Sequence, residues 1–170
     1  MLYGGLLMYQ EDRLPQSPKE GVLFMLIISI LSVNTIAPII VGMERGFSVA
    51  HYIDTLKIIP FAWIALMILI RFIVKPAAGM LFKRFAGEMD GFNARILLNI
   101  VLNVSLISLF MTIIGPWIGM GEINFDTLQH FFPTWFRNFG IAFWVELLFA
   151  QPIARAVMKS IHARNRLKTA

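Results

Sequence analysis

Residues 21–43, GVLFMLIISILSVNTIAPIIVGM, form a run of 23 residues without a single charged side chain. A helix that crosses the hydrocarbon core of a bilayer, about 30 Å thick, needs about 20 such residues. A second uncharged run, 26 residues long, begins after Arg95. The two runs predict transmembrane helices over Gly21–Met43 and Ile96–Met120, and therefore predict that lipid rather than water surrounds the folded chain.

The composition of the whole chain agrees with a membrane protein. Of its 170 residues, 58% are hydrophobic and 15% are charged, whereas soluble domains carry about 25% charged residues. The chain has no cysteine, which excludes disulfides, a thiol nucleophile and cysteine metal sites. Since it also lacks a phosphate-binding glycine loop, a nucleophile elbow and a zinc-protease motif, we expect neither an enzyme nor a cofactor.

Two further spans are predicted although a charge interrupts each of them: Ile58–Val74, which contains Arg71, and Asn138–Ala154, which contains Glu146. Of the 15 Lys and Arg residues, 12 lie in the N-terminal, middle and C-terminal segments and three in the two alternate loops. Positive residues concentrate on the cytoplasmic side, which places both termini there. The predicted fold is an all-α integral membrane protein, a bundle of four transmembrane helices. Nucleic-acid binding is not expected, because the topology already explains these charges.

The second half of the chain repeats the first. Residues 38–47 align with 116–125 at an offset of 78, and residues 75–83 align with 151–159 at an offset of 76. Both halves start on the cytoplasmic side, so the repeat predicts two tandem helical hairpins of parallel topology. The predicted organisation is a cytoplasmic tail, a first hairpin, a cytoplasmic connection, a second hairpin and a basic tail, over residues 1–20, 21–86, 87–95, 96–160 and 161–170.

Two segments of the second hairpin, FPTWFRNFGIAFW at 132–144 and AQPIAR at 150–155, carry a resemblance to a known family. They resemble the aromatic, Trp, Arg and proline-plus-basic run of uncharacterised small bacterial membrane proteins, a domain-of-unknown-function family of two-helix units that can occur in tandem. The resemblance implies a multi-pass protein of the bacterial inner membrane. Proteobacterial antimicrobial compound efflux proteins, which export cationic biocides using protons, are similar in four-helix architecture only.

Glu146 is the most informative single residue, because a carboxylate inside a span is costly and usually faces a cavity or a partner. The repeat alignment places Arg71 at nearly the same depth. One hypothesis is therefore an embedded ion pair between Arg71 and Glu146. In the alternative, Arg71 extends to the cytoplasmic headgroups beside Lys75, and Glu146 is protonated.

The third predicted helix carries two polar stripes. Asn99 and Asn103 form one stripe, which we expect to face the interior at the depth of Glu146. Ser105, Ser108 and Thr112 form the other, which we expect to face another helix or subunit. Ser29 and Ser32 of the first helix are expected to complete the inner polar chamber. The candidate intramembrane site is Glu146, Arg71, Asn103, Asn99 and Ser29.

Polar residues outside the spans suggest two surfaces. The outer loops contain a candidate ion-attracting mouth, whose spacing fits no metal-binding motif: Glu44, His51, Asp54, Glu122, Asp126 and His130. Basic residues beside the inner ends of the spans are candidate contacts to anionic lipid headgroups: Lys75, Lys83, Arg84, Lys159, Arg164 and Arg166.

Two functions fit these features. The first is a proton-coupled secondary transporter or exporter of an unknown small molecule or ion, with Glu146 as the protonatable group. Because four helices enclose little volume, this function predicts a homodimer. The alternative is a non-transporting scaffold or accessory protein that binds anionic lipid or a protein partner.

Overall fold

Four long helices make up the computed structural model of the protein, which describes residues 12–87, 91–123 and 125–169. Helix α1 is Pro18–Arg45 and helix α3 is Phe92–Met120. Helix α2 has three continuous sections, and so does α4. Each of the four is long and apolar enough to cross a membrane, and no strand occurs in the described ranges. The prediction of an all-α protein with four helices able to span a membrane is confirmed. The sections of α2 are Val49–Leu69, Ile70–Val74 and Lys75–Phe85, and those of α4 are Phe131–Val145, Glu146–Ala150 and Gln151–Thr169.

Local sequence signals determine where the helices begin and end. Ser17 caps α1, since its hydroxyl accepts the Glu20 N–H at 3.2 Å, and Pro18 follows at a position that needs no N–H donor. Gly46 and Gly121 end α1 and α3 with φ angles of 87° and 74°, in the region that favours glycine. Gly46 lets the chain turn sharply after α1, and the connection between α1 and α2 is only three residues long.

The middle sections of α2 and α4, Ile70–Val74 and Glu146–Ala150, are π-helical. Each lies just before a lysine or glutamine followed by a proline, Pro76 or Pro152. A proline inside a helix lacks the N–H donor, and its ring clashes with the carbonyl four residues earlier. The wider π turn relieves this clash, because the N–H after each segment bonds the first carbonyl of that segment, five residues back.

The helices contact one another in ring order. Helix α1 packs against α2 and α4, and α3 packs against the same two helices. A small apolar cluster of Ile100, Val104 and Ala142 joins α3 to α4, and Ile36 of α1 packs against it. The polar side chains described below lie around this cluster.

Helices α2 and α4 are longer than the spans predicted from the charge pattern. A helix of 37 residues, such as Val49–Phe85, is about 55 Å long, whereas the hydrocarbon core is about 30 Å thick. Their ends therefore project beyond the core, and the C-terminal basic segment continues α4 to Thr169. Large apolar side chains on their outer surfaces face away from the bundle, including Phe61, Phe72 and Leu148, which are 66%, 72% and 67% exposed.

Candidate intramembrane polar site

Glu146 contacts the first helix through a serine. It is the first residue of the π segment in α4, and its side chain is half-buried in the bundle. The Ser32 hydroxyl of α1, itself buried, donates to the Glu146 Oε1 at 2.8 Å. This interhelical hydrogen bond satisfies the carboxyl inside the apolar part of the bundle.

Two more polar residues continue from Glu146 along α4. The Gln151 side chain lies near the Glu146 carboxyl, because the π turn brings residue 151 beneath residue 146. The Arg155 Nη2 donates to the Gln151 Oε1 at 3.3 Å. We call Ser32, Glu146, Gln151 and Arg155 the polar file; it leads from the middle of α4 toward the basic end of the helix.

Arg71 is not part of this site. Its side chain is exposed, and none of the four ion pairs within the described ranges contains it. The predicted ion pair between Arg71 and Glu146 is therefore wrong. The alignment equated Glu146 with Ile70, and one residue further along a helix is a rotation of about 100°. Arg71 consequently shares the depth of Glu146 but not its direction.

Ser29 lies in the same helix as Ser32 but has a different partner. The Trp63 indole Nε1 of α2 donates to its hydroxyl at 3.1 Å, and the hydroxyl donates to the Leu26 carbonyl at 3.0 Å. Ser29 thus joins α1 to α2, whereas Ser32 joins α1 to Glu146 in α4. Only one of the two serines predicted for the polar chamber reaches the carboxyl.

The hydroxyl stripe of α3 faces another helix, α4, as predicted, whereas the asparagine stripe does not face the interior. Asn99 is exposed, and the Asn103 amide bonds its carbonyl at 2.8 Å and its Oδ1 at 2.9 Å. Ser108 and Thr112 are buried instead. The prediction that the asparagine stripe faces the interior is wrong, because small hydroxyl side chains bond back to their own helix and permit closer helix packing.

The buried hydroxyl stripe belongs to a network near the ends of the helices that the sequence predicts to be the outer ends. The Asn138 amide of α4 donates to the Thr112 Oγ1 of α3 at 3.1 Å, and its Oδ1 accepts from the Arg137 Nη2 at 3.1 Å. Arg137 also pairs with Glu44 at the end of α1. We call Glu44, Thr112, Arg137 and Asn138 the outer clasp; it connects α1, α3 and α4.

The residues of the predicted outer mouth do not converge on one another. Glu44 is engaged in the outer clasp, the His51 Nδ1 lies 2.9 Å from the Gly46 carbonyl, and Asp54 pairs with Lys57 at 2.9 Å. Within the described ranges, no three His, Asp or Glu side chains form a group that could hold a metal ion. The remaining three are exposed in or beside the loop between α3 and α4: Glu122, Asp126 and His130.

At the end of the bundle where α1 begins, which the sequence predicts to be the inner end, the start of α1 and the residues before it are tied to α4. The His162 Nδ1 lies 2.8 Å from the Asp12 carbonyl oxygen, and its Nε2 lies 3.0 Å from the Glu20 Oε2. The hydrogen bond to the Glu20 carboxylate raises the pKa of His162. The pKa of Glu20 is lowered mainly by the hydrogen bond from the Gln16 N–H and, to a smaller extent, by the one from His162. Arg166 also pairs with Asp12. We call Asp12, Glu20, His162 and Arg166 the inner latch.

The six candidate headgroup contacts are all exposed on the C-terminal parts of α2 and α4. Arg166 additionally belongs to the inner latch. The six residues are Lys75, Lys83, Arg84, Lys159, Arg164 and Arg166.

Sequence reasoning missed Gln151 and Arg155. The signal that could have identified them is the spacing of Glu146, Gln151 and Pro152. A proline inside a span favours a π turn, and a π turn aligns residues five apart. The spacings of three and four residues that describe an ordinary helix do not align Glu146 with Gln151.

Comparison with known proteins gives a similarity to one family over part of the chain and no activity. No curated protein and no solved structure matches the chain. The family described as "Domain of unknown function (DUF2798)" matches residues 93–162, which include α3, the outer clasp residues of α4 and the polar file from Glu146 to Arg155. The second half of the chain is thus similar to an uncharacterised family, DUF2798.

Proposed function

We propose that the protein is a proton-coupled secondary transporter or exporter of the bacterial inner membrane, in which Glu146 carries the proton. The observation that supports this proposal is the polar file, which links a carboxyl within the apolar part of α4 to the basic end of that helix. Ionisable residues at such depth commonly mark proton or substrate pathways.

The partners of Glu146 suit both of its protonation states. A serine hydroxyl donates to a carboxylate, and it accepts from a protonated carboxyl. The Gln151 amide likewise offers both a donor and an acceptor. No Lys or Arg within the described ranges forms an ion pair with Glu146, so no fixed cation holds it in the charged state. Both forms are accommodated, as a proton carrier requires.

The proposal includes the topology predicted from the charges. Both termini lie in the cytoplasm, and the two hairpins are tandem copies with parallel topology. The placement of the two π segments supports the repeat, since each precedes an equivalent proline at the same offset of 76 residues. Because the file lies within a single four-helix bundle, a homodimer supplies the second wall of a pathway for a small molecule or ion.

The test measures proton flux in proteoliposomes with an imposed pH gradient, using internal pyranine as the pH indicator and ethidium as a cationic test substrate. Wild-type protein and Glu146→Asp, which keeps a carboxyl, should give gradient-dependent flux of both species. Glu146→Gln, which matches the size of the side chain but cannot ionise, should reduce proton flux at least about tenfold. Equal fluxes in wild type and Glu146→Gln would contradict the proposal.

A second candidate function is a scaffold or accessory protein that binds anionic lipid or a protein partner. The six exposed basic residues on the inner parts of α2 and α4 favour it. Under this function, Glu146→Gln leaves association with the partner unchanged, and charge reversal at Lys83 and Arg84 abolishes it. Co-purification of a partner from membranes distinguishes the two functions when it is compared with the flux assay. A scaffold binds its partner without Glu146, whereas a transporter loses flux without Glu146 whether or not a partner is bound.

A further inference from the structure

A short segment before α1 reaches across to α4. We call this segment, residues 12–17, the strap; it precedes the helix and is not part of it. One end of the strap is held by α1, since the Gln16 N–H donates to the Glu20 Oε2 at 2.7 Å. The other end is held by α4, because the Asp12 carbonyl oxygen lies 2.8 Å from the His162 Nδ1 and the Asp12 carboxylate pairs with Arg166.

His162 faces a hydrogen-bond acceptor at each of its two ring nitrogens. The Asp12 carbonyl oxygen lies beside Nδ1, and the Glu20 Oε2 lies 3.0 Å from Nε2. An imidazolium carries two N–H donors, whereas a neutral imidazole carries only one. The side chain is 6% exposed, so water has little access to replace a lost bond. With an ionised Glu20, both contacts are therefore formed only while His162 is protonated.

The charges around His162 favour its protonated form. The hydrogen bond to Glu20, at the start of α1, raises the pKa of His162 most, and Asp12 of the strap adds to this shift. Loss of the proton therefore requires a pH above the raised pKa, and the contacts weaken as the pH rises through it. Arg166, on the next turn of α4, pairs with Asp12. The other charged side chains at this end of α1, α4 and the strap are Arg13, Lys19, Arg155, Lys159 and Arg164.

His162 also lies on the face of α4 that carries the polar file. Arg155 is seven residues before it, and Gln151 is four residues before Arg155; residues at these spacings share one face of a helix. This face packs against α1 at two levels, through Ser32 and Glu146 and through Glu20 and His162. The strap crosses from α1 to α4 at the second level, where the file reaches the end of the bundle.

We propose that the strap is a closure over this end of the polar file, which protonated His162 holds in place and neutral His162 releases. His162 lies beyond the predicted span Asn138–Ala154, on the side that the charges predict to be cytoplasmic, so the strap responds to the pH of that side. If Glu146 carries protons inward, acidification there closes the strap and limits further flux. That consequence rests on the proposed function, whereas the closure itself does not.

The first test measures the position of the strap by electron spin resonance on the full-length protein in lipid nanodiscs. Because the chain has no cysteine, spin labels attach only to the introduced pair Arg13→Cys and Lys83→Cys, at two exposed positions. The distance distribution should be narrow at about pH 5.5 and should broaden to longer distances at about pH 9, on either side of the titration of His162. The released population should increase at least about tenfold, because a bond between charged groups is lost.

His162→Gln provides the variant for this test. Glutamine is neutral at both pH values and cannot donate to both acceptors, so the broad distribution should be present at both. His51→Gln is the matched control, because His51 is an exposed histidine at the other end of the bundle, with its Nδ1 beside the Gly46 carbonyl. It should respond to pH like the wild type. An unchanged distribution in the labelled wild-type background, or an equal response in His162→Gln, would overturn the proposal.

The second test asks whether the strap closes the polar file. A water-soluble maleimide is reacted with Gln151→Cys and, separately, with Lys83→Cys, whose rate corrects for the higher reactivity of any thiol at high pH. The corrected rate at position 151 should be at least about tenfold higher at about pH 9 than at about pH 5.5. A strap that moves without changing this rate is not a closure, and that result would overturn the proposal. Glu146→Gln should keep the pH response of the strap, so failure of the transport proposal leaves this outcome unchanged.

Discussion

Replacing Asn138 by leucine should loosen the contact between α3 and α4 at the outer clasp. Leucine has a similar size but cannot donate to the Thr112 hydroxyl or accept from Arg137, which the native amide does at 3.1 Å in each case. An interhelical hydrogen bond in a membrane contributes about 0.6 kcal/mol, and about 1.7 kcal/mol at most. Arg137 keeps its ion pair with Glu44 and is partly exposed. The loss of its hydrogen bond to residue 138 therefore adds little to the change in the free energy of unfolding.

We therefore expect Asn138→Leu to lower the free energy of unfolding by about 0.6–1.7 kcal/mol, a change of about 3–20-fold in the unfolding equilibrium. Intrinsic tryptophan fluorescence during titration of detergent-solubilised protein with sodium dodecyl sulfate measures this change. Asn34→Leu is the matched control, because Asn34 is exposed and bonds only the Ile30 carbonyl of its own helix among the interactions described.

A double-mutant cycle with Thr112→Val isolates the contact itself. The coupling free energy between positions 112 and 138 should be about 0.6 kcal/mol or more. Zero coupling, or an equal effect of Asn34→Leu and Asn138→Leu, would refute the reasoning that this bond connects the two helices.

Three further predictions concern the inner latch and the polar file. His162 has a pKa raised from 6.5 by Glu20, and Glu20 has a pKa lowered from 4.5, so their pairing stabilises the fold fully between pH 4.5 and 6.5 and is lost as the pH rises through the raised pKa or falls through the lowered one. Thermal melts that extend below pH 4.5 and above pH 6.5 should show this loss of stability on both sides in wild type but not in His162→Gln; an identical profile in both proteins would contradict the prediction. Ser32→Ala removes the hydroxyl that donates to Glu146 and should lower the free energy of unfolding by about 1 kcal/mol. A loss below about 0.3 kcal/mol in the same detergent titration would show that the hydrogen bond is not formed. Pro152→Ala restores an N–H donor, so it should convert the π turn to an ordinary α turn and rotate Gln151 away from Glu146. Proton flux in proteoliposomes should therefore fall. Unchanged flux would show that the polar file does not depend on the π turn.

The membrane-spanning character of the chain could be predicted from the sequence because it depends on local composition. The uncharged runs identified α1 and α3 to within a few residues, since no charge interrupts either run. Helices α2 and α4 were predicted too short, because charged residues were treated as ends of the helix rather than as parts of it that project from the bilayer.

The side-chain contacts of the site could be predicted only in part. Glu146 was identified because its cost inside a span is a local property. The ion pair with Arg71, one of the two alternatives, is not formed, since depth along a helix does not determine the direction in which a side chain points. The contact between Glu20 and His162 joins residues 142 positions apart, and no spacing along the chain indicates it.

The most direct test of the account asks whether the polar file connects Glu146 to the inner side of the membrane. The chain contains no cysteine, so single cysteines can be introduced at position 151, in the file, and at position 148, which faces away from the bundle and is 67% exposed on its lipid side. Each is treated with a membrane-impermeant maleimide in inside-out and right-side-out vesicles. The account predicts that Gln151→Cys reacts from the inner face alone and that Leu148→Cys reacts from neither; labelling of Gln151→Cys from the outer face, or no faster than that of Leu148→Cys, would contradict it.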